Sequence, residues 1–128
     1  MGGAERISRA VRLTASGAYG LVEEAAREPG AGEVCVAMRW ACVAEDELWA
    51  LPPTGSTRGV GRYGYGDIVT VGSGVSTVRV GDAVVIAPTS GCATVAESLC
   101  LGANGVRAVA NDLPGPLALL AWPPWRGN

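Results

Sequence analysis

The sequence predicts a mainly β fold with only a few short helices, and two observations lead to this prediction. Short apolar runs recur at roughly regular spacing, and glycine and proline separate them, with 19 Gly and 8 Pro in 128 residues. Stretches with helical periodicity are few. Aromatic residues make up only 5% of the chain and Phe is absent, so aliphatic side chains must form the core. Short strands with tight turns are typical of a barrel or a sandwich.

The expected strands follow in chain order. Arg9 to Leu13 and Leu21 to Glu24 are predicted to form a hairpin around Gly17, because glycine is favoured in tight turns. Glu33 to Ala41 alternates between two faces, with one face formed by Val34, Val36 and Met38. Further strands are expected at residues 66–71, 82–87, 93–101 and 106–109.

Helices are expected at two places only. Glu45 to Leu51 predicts one or two turns that end at Pro52, and Pro116 to Trp122 predicts a short helix. The length of 128 residues suits a single domain. We expect residues 1–8 and 123–128 to be loose tails.

The composition excludes several kinds of chemistry and partner. The chain has no His, and all ten basic residues are Arg, so it cannot supply a Ser-His-Asp triad or a Schiff-base lysine. A net charge of −2 without a basic run predicts that neither nucleic acid nor an anionic membrane is the main partner. The charged stretch Met1 to Arg12 does not resemble a signal peptide, and the longest apolar run, Leu117 to Trp122, is too short to span a bilayer.

The four cysteines, Cys35, Cys42, Cys92 and Cys100, contain no C-x-x-C pair. Without His, a zinc site would need all four thiolates, so we expect no metal. Cys35 lies in an apolar strand, and we interpret it as a small buried hydrophobic residue. The sequence therefore predicts reduced thiols and a cytoplasmic protein.

One stretch resembles a known family. Gly66 to Pro88 reads GDIVTVGSGVSTVRVGDAVVIAP, which is similar to the G-x-V-V-x-V-G-x-x-V and V-G-D-R-V signature of medium-chain dehydrogenases/reductases. The resemblance is to their GroES-like catalytic domain, and it extends to residues 9–13, 22–34, 41–48, 93–101 and 113–120. It implies a GroES-like, partly open β-barrel with a ligand cleft at its mouth. The family's nucleotide-binding Rossmann half is not in these residues, so we expect no cofactor.

The resemblance also implies which residues occupy the family's zinc-ligand positions. Ala44 stands where a Cys ligand follows the A-x-G-[VI] segment, and Arg62 and Tyr63 stand where a G-H-E element supplies His and Glu. Ala121 follows Leu119-Leu120, where a further Glu can occur. We therefore expect no catalytic zinc, as in the zinc-independent quinone oxidoreductase and enoyl reductase branch.

The candidate site residues follow from these positions. Arg62 and Tyr63 combine a bidentate cation with a hydroxyl donor, so we predict that they hold an enolate or carboxylate oxygen during catalysis. Asp46 and Glu47 are the candidate general acid or base. The candidate substrate contacts are Glu45, Trp49, Tyr65 and Trp40. Simpler interpretations remain open: an exposed loop Arg, an acidic first turn of a helix, and aromatic core residues.

Three functions remain open at this point. We favour an enzyme that has lost its hydride donor and metal and catalyses a redox-neutral step on a small carbonyl-bearing metabolite. That step would be a cyclisation, isomerisation or elimination, and the setting would be natural-product biosynthesis. The second is a substrate-binding subunit or fragment of an NADPH-dependent, zinc-independent oxidoreductase with a separate Rossmann chain. The third is a non-catalytic binding module or a decayed remnant. A homodimer or a partner chain is expected to cover the exposed cleft.

Overall fold

The computed structural model describes residues 6–43, 45–87 and 93–109, and within these ranges the chain is mainly β. Two short 3₁₀ turns, Glu45–Leu48 and Ala103–Gly105, interrupt the strands. None of the described segments is a helix long and apolar enough to cross a membrane. The strands are β1 (Ile7–Thr14), β2 (Tyr19–Ala25), β3 (Glu33–Cys42), β4 (Thr57–Gly59), β5 (Tyr63–Val71), β6 (Ala83–Ile86), β7 (Ser98–Gly102) and β8 (Val106–Ala108).

The strands form two antiparallel sheets. The smaller has the order β2-β1-β4, and the larger has the order β7-β3-β5-β6-β8. The hairpin expected around Gly17 is confirmed, since β1 pairs with β2 over seven residue pairs, from Ile7↔Ala25 to Leu13↔Tyr19. Together the sheets form the mainly β, partly open barrel that the resemblance implied.

Some strands begin at other residues than predicted, because no local sequence pattern indicates where they begin. Ile7 and Ser8, which we assigned to a loose tail, belong to β1. β5 begins three residues earlier than expected, at Tyr63. β4 was not predicted, because three residues are too few to show alternation. The expected helix from Glu45 is only one 3₁₀ turn. The expected helix at 116–122 and the C-terminal tail lie outside the described residues.

Residues 93–97, which we call the strap, join the two sheets. The strand predicted over 93–101 is therefore wrong in its first half. Val11 N–H donates to Val95 O at 3.0 Å on the side of the smaller sheet, and Met38 N–H donates to Glu97 O at 2.8 Å on the side of the larger one. Because the strap divides its hydrogen bonds between two sheets, it closes this side of the barrel.

An aliphatic core covers one face of the larger sheet. Successive side chains of a strand point to opposite faces, so alternate positions of β3, β5 and β6 point into this core. The face predicted for β3 is confirmed, since Val34 and Val36 are fully buried. The buried members of the core are Val34, Val36, Ile68, Val78, Val84, Ile86, Leu101 and Val106.

Cys35 and Cys100 are joined by a disulfide. They are register partners on the neighbouring strands β3 and β7. The prediction that Cys35 is buried is confirmed, but the prediction of reduced thiols is wrong for this pair. A separation of 65 residues left no local signal of the pairing. Cys42 is a free thiol, and Cys92 lies outside the described residues.

An ion pair beside the disulfide fastens the start of β3. Arg27 Nη1 donates to Glu33 Oε1 at 2.8 Å, and Gly30 N–H donates to the same oxygen at 2.9 Å. The hydrogen bond from Arg27, followed by that from Gly30, lowers the pKa of Glu33 from its ordinary 4.5 to about 2. The ionised form of Glu33 therefore stabilises the folded chain.

We predict that this stabilisation is lost on acidification. The pKa of Glu33 is lower in the folded than in the unfolded chain, so the contribution is complete above about pH 4.5 and declines as the pH falls towards 2. Glu33→Gln should lower the urea midpoint at neutral pH, and its difference from wild type should shrink as the pH approaches 2. Glu28→Gln, an exposed neighbour in the same loop, is the matched control and should keep the wild-type pH dependence. A Glu33→Gln protein with the wild-type pH dependence would contradict the role of this ion pair.

Candidate functional site

The predicted site lies where β3 ends and β5 begins. Cys42 and Tyr63 are register partners at this point, and Arg62 N–H donates to Cys42 O at 2.9 Å. The 3₁₀ turn that begins at Glu45 follows directly after β3. The fold thereby brings the acidic residues of this turn next to residue 62, which is distant in sequence.

Arg62 and Asp46 form an ion pair. Arg62 Nη2 donates to Asp46 Oδ2 at 2.8 Å, and the two side chains are 45% and 68% exposed. Exposed ion pairs of this kind contribute little to stability. A guanidinium has five N–H donors, so Arg62 can bind Asp46 and still donate to an oxygen of a ligand. The structure therefore brings together one residue from each of the two predicted catalytic groups.

Glu47 has a different environment from Asp46. It is only 7% exposed, and its Oε1 accepts the Gly61 N–H at 2.9 Å and lies 4.0 Å from Arg58 Nη1. This carboxylate holds the loop that leads to Arg62. A role for Glu47 as a general acid or base stays a prediction, while its contacts assign it the task of fixing the loop.

Arg58 is a residue of the site that sequence reasoning missed. It lies in β4, and its Nη2 donates to the carbonyl oxygens of Glu47 and Ala50. It thereby ties the end of the 3₁₀ turn to the smaller sheet. Its Nε is buried without a partner among the described residues. The available signal is an Arg at the start of a glycine-rich run, whereas the resemblance assigns the functional role in that run to Arg62 and Tyr63.

Gly61 determines the shape of the loop. Its φ is +105°, a conformation that favours glycine. A Cβ at this position would overlap the hydroxyl of Thr94 in the strap and would lie only 2.9 Å from Val95 N. Thr94 is fully buried, and Val95 N–H donates to Val60 O at 2.9 Å. The strap and the loop are therefore packed together with no room for a side chain.

Residues 59–64 read G-V-G-R-Y-G, which matches the G-x-G-x-x-G spacing of a dinucleotide-binding loop. That fingerprint needs a strand followed by a helix, because the helix N-terminus binds the pyrophosphate. Here the run joins β4 to β5, which belong to different antiparallel sheets. Its glycines serve packing, since a Cβ at Gly64 would overlap Met38 Cε. The geometry does not fit a dinucleotide at this run.

The predicted aromatic residues lie in different environments. Tyr63 is partly buried at the start of β5. Tyr65 is 2% exposed, and the guanidinium carbon of Arg39 lies 5.6 Å from its ring centre. Tyr65 is therefore a buried residue of the sheet, and its assignment as a substrate contact stays a prediction. Trp40 and Trp49 are on the surface, where they are 50% and 77% exposed.

Exposed apolar side chains occur in the chain on both sides of Asp46. Trp49 N–H donates to Asp46 O at 3.3 Å, which places Trp49 beside the pair. Exposed large apolar side chains are typical of surfaces that another molecule covers. We call the exposed apolar residues of this part of the chain the apolar rim: Trp40, Val43, Trp49 and Leu51, each at least 41% exposed.

The residues at the expected metal positions do not fit a catalytic zinc ion. Arg62 is a cation that already binds a carboxylate, and Ala44 and Ala121, which lie outside the described residues, have no ligand atom in their side chains. Throughout the described part of the chain, no group of three or more His, Cys, Asp and Glu side chains is placed to hold a metal. We therefore derive no step through a metal ion.

Residues 30–124 match the family model of the alcohol dehydrogenase GroES-like domain. Quinone oxidoreductase from Pseudomonas syringae pv. tomato DC3000 has a similar fold, with a TM-score of 0.74 and 19% identity over 90% of this chain and 37% of that chain. A putative zinc-dependent alcohol dehydrogenase from Rhizobium etli CFN 42 also gives 0.74 and 19%, over 91% and 37%. The CurF ER cyclopropanase from the curacin A biosynthetic pathway gives 0.71 and 20%, over 88% and 38%. Curated protein sequences contain no match.

These structural similarities show the fold of the chain, and they also show that the chain is much shorter than the proteins it matches. The chain spans 37% of the length of the quinone oxidoreductase that it matches. The residues that match the family model, 30–124, include both the acidic turn and the loop that leads to Arg62.

We predict that the two neighbouring carboxylates differ in their effect on stability. Glu47→Ala removes the acceptor of a buried N–H and should lower the free energy of unfolding by about 1–3 kcal/mol. Asp46→Ala removes an exposed ion pair and should cost less than about 1 kcal/mol. Urea unfolding of both variants measures the difference. Equal losses, or a larger loss for Asp46→Ala, would contradict the assignment of Glu47 as the residue that fixes the loop.

Proposed function

The chain belongs to the alcohol dehydrogenase GroES-like domain family, and from this we propose that it is the substrate-binding unit of an enzyme acting on small carbonyl compounds. Its reaction centre would be completed by a second protein surface that carries the nucleotide. That surface would belong to a longer chain of which these residues are part, or to a separate polypeptide. The observation that carries the proposal is the exposed Arg62–Asp46 pair, together with the exposed side chain of Trp49, whose N–H donates to Asp46 O.

We propose a second unit because the surface around the Arg62–Asp46 pair is exposed to solvent. Hydrogen-bond donors stabilise developing charge far better in a site that excludes water than on a wet surface. With Trp49 at 77% and Trp40 at 50% exposed, the site is open to solvent. In the medium-chain dehydrogenases/reductases that the sequence resembles, the nucleotide-binding half closes the corresponding cleft. A covering surface would bury the apolar rim and raise the strength of the Arg62 interaction.

The roles proposed for the residues follow from their chemistry. Arg62 would donate to the carbonyl oxygen of the substrate and stabilise the negative charge that develops there. Asp46 would orient the guanidinium through the bond at 2.8 Å. Tyr63 would supply a further donor, and Trp49 would cover the apolar part of the substrate. A nicotinamide cofactor held by the second unit would supply the hydride.

A redox-neutral enzyme is the second candidate. It is favoured by the Arg62–Tyr63 sequence at the position that the resemblance gives to metal ligands, since a cation and a hydroxyl can stabilise an enolate without hydride transfer. One protein of similar fold is named a cyclopropanase. Cyclisation, isomerisation or elimination of a carbonyl-bearing metabolite would need the same Arg62, with a second copy of the chain as the cover.

We predict that the chain binds small carbonyl compounds through Arg62. A series of an α,β-unsaturated ketone, its saturated ketone and the matching alcohol should be titrated against the full chain, with binding read from chemical shifts and the melting temperature. The ketones should bind better than the alcohol. Arg62→Gln should weaken ketone binding about tenfold, because a hydrogen bond from a charged donor is lost. Arg79→Gln, an exposed Arg in the turn before β6, is the matched control and should bind as wild type does.

Conversion of a bound ketone separates the two candidates. With NADPH added to this chain alone, the proposed substrate-binding unit should leave the ketone unchanged. A product of unchanged mass, or one that has lost water, would favour the redox-neutral enzyme. Equal binding by the Arg62→Gln and wild-type proteins would overturn both.

A further inference from the structure

The Cys35–Cys100 disulfide joins an inner strand to an edge strand, and its two sulfur atoms differ in access. β7 is the edge of the larger sheet, and the bond ties it to β3. Cys35 is 5% exposed. Cys100 is partly exposed and lines a surface cavity of about 230 Å³. A small thiol can therefore approach the Cys100 sulfur, while the Cys35 sulfur is shielded.

A hydrogen-bond acceptor lies close to both sulfur atoms and can stabilise the reduced thiols. The carbonyl oxygen of Arg27 lies 3.5 Å from Cys35 Sγ and 3.2 Å from Cys100 Sγ. A disulfide has no hydrogen to donate to this oxygen, whereas each thiol of the reduced pair has one. Only after reduction can either of these sulfur atoms donate a hydrogen bond to this oxygen.

Other contacts hold β7 when the bond is open. The strand pairs with β3 from Glu33↔Gly102 to Ala37↔Ser98. Arg27 Nη2 donates to Cys100 O at 3.1 Å, and this contact does not involve sulfur. Opening the disulfide therefore removes one covalent link from a strand that keeps its hydrogen-bonded ladder.

The consequence extends beyond β7 because the strap precedes this strand directly. Thr94 of the strap fills the space beside Gly61, and Val95 binds Val60. A looser β7 would loosen the strap and, through it, the loop that positions Arg62. The two thiol states would then differ in the order of the strap and the loop, with the rest of the barrel unchanged.

We propose that Cys35–Cys100 is a reversible redox link, opened by a small-molecule thiol at Cys100 and closed by the corresponding disulfide. The attacking thiolate forms a mixed disulfide with Cys100 and releases the Cys35 thiolate, which takes up a proton. A second thiolate attacks the small-molecule sulfur, so that Cys100 leaves as a thiolate and is protonated. In total, the protein disulfide and two thiols become two cysteine thiols and one small-molecule disulfide. This inference does not depend on the proposed carbonyl chemistry.

The test uses the full chain with Cys42→Ala and Cys92→Ala, so that only this pair can react. The protein is equilibrated in glutathione buffers of different ratio without denaturant, and the exchange is quenched with acid. It is then unfolded, alkylated with a maleimide and weighed by mass spectrometry. The expected result is a change from no label to two labels while the protein stays folded by circular dichroism. The reduced form should melt roughly 10 °C lower and still unfold cooperatively.

A variant with Cys35→Ala and Cys100→Ala in the same background is the matched control. It should melt near the temperature of the reduced form and show no response to the glutathione ratio. Two outcomes would overturn the proposal. One is labelling at every glutathione ratio, which means that the bond does not form. The other is reduction of the pair only when the equilibration buffer itself unfolds the protein, which makes the bond a permanent structural link.

Discussion

The barrel and its candidate site depend on the backbone hydrogen bonds of the strap, residues 93–97. These bonds end at three different places: at β1, at β3 and at the loop that precedes Arg62. Each one contributes only about 1 kcal/mol net, but a broken bond leaves a buried polar group without a partner. Neither sheet contacts the other through a continuous ladder, so the strap is what sets the site loop at a fixed place on the barrel.

Sequence patterns predicted the strands whose signal is local. β3 carries apolar residues at alternate positions that face the core, and this two-residue period can be identified without knowing the fold. β6 is a short apolar run that is buried throughout, and its composition alone indicates a strand. β4 has only three residues, and the strap hydrogen-bonds to partners more than thirty residues away, so neither leaves a pattern in its own sequence. The disulfide also leaves no local signal in the sequence, because it is the register between β3 and β7 that pairs Cys35 with Cys100.

In the candidate site, too, the sequence predicted some features, while others are set by tertiary packing. The family resemblance placed Arg62 beside the acidic turn, and the ion pair with Asp46 agrees with that placement. It could not distinguish Asp46 from Glu47, because burial of one carboxylate against Gly61 is decided by tertiary packing. The resemblance also implies a cleft position for Tyr65, but in the structure this side chain is buried on the same face of the sheet as Val85, its register partner on β6. The chemistry of a bound substrate remains a proposal that rests on Arg62 and its open surroundings.

The strap also connects the two parts of the molecule that carry proposals, since the disulfide lies after its C-terminal end and the Arg62 loop packs against its middle. Hydrogen exchange of the Gly61 and Val95 amides, measured by NMR on the oxidised chain, tests this account most directly. Gly61 N–H binds Glu47 Oε1 and Val95 N–H binds Val60 O, so both should exchange as slowly as the amides of the core strands. Exchange as fast as that of the exposed hairpin turn at residues 15–16 would show that the strap does not hold the loop.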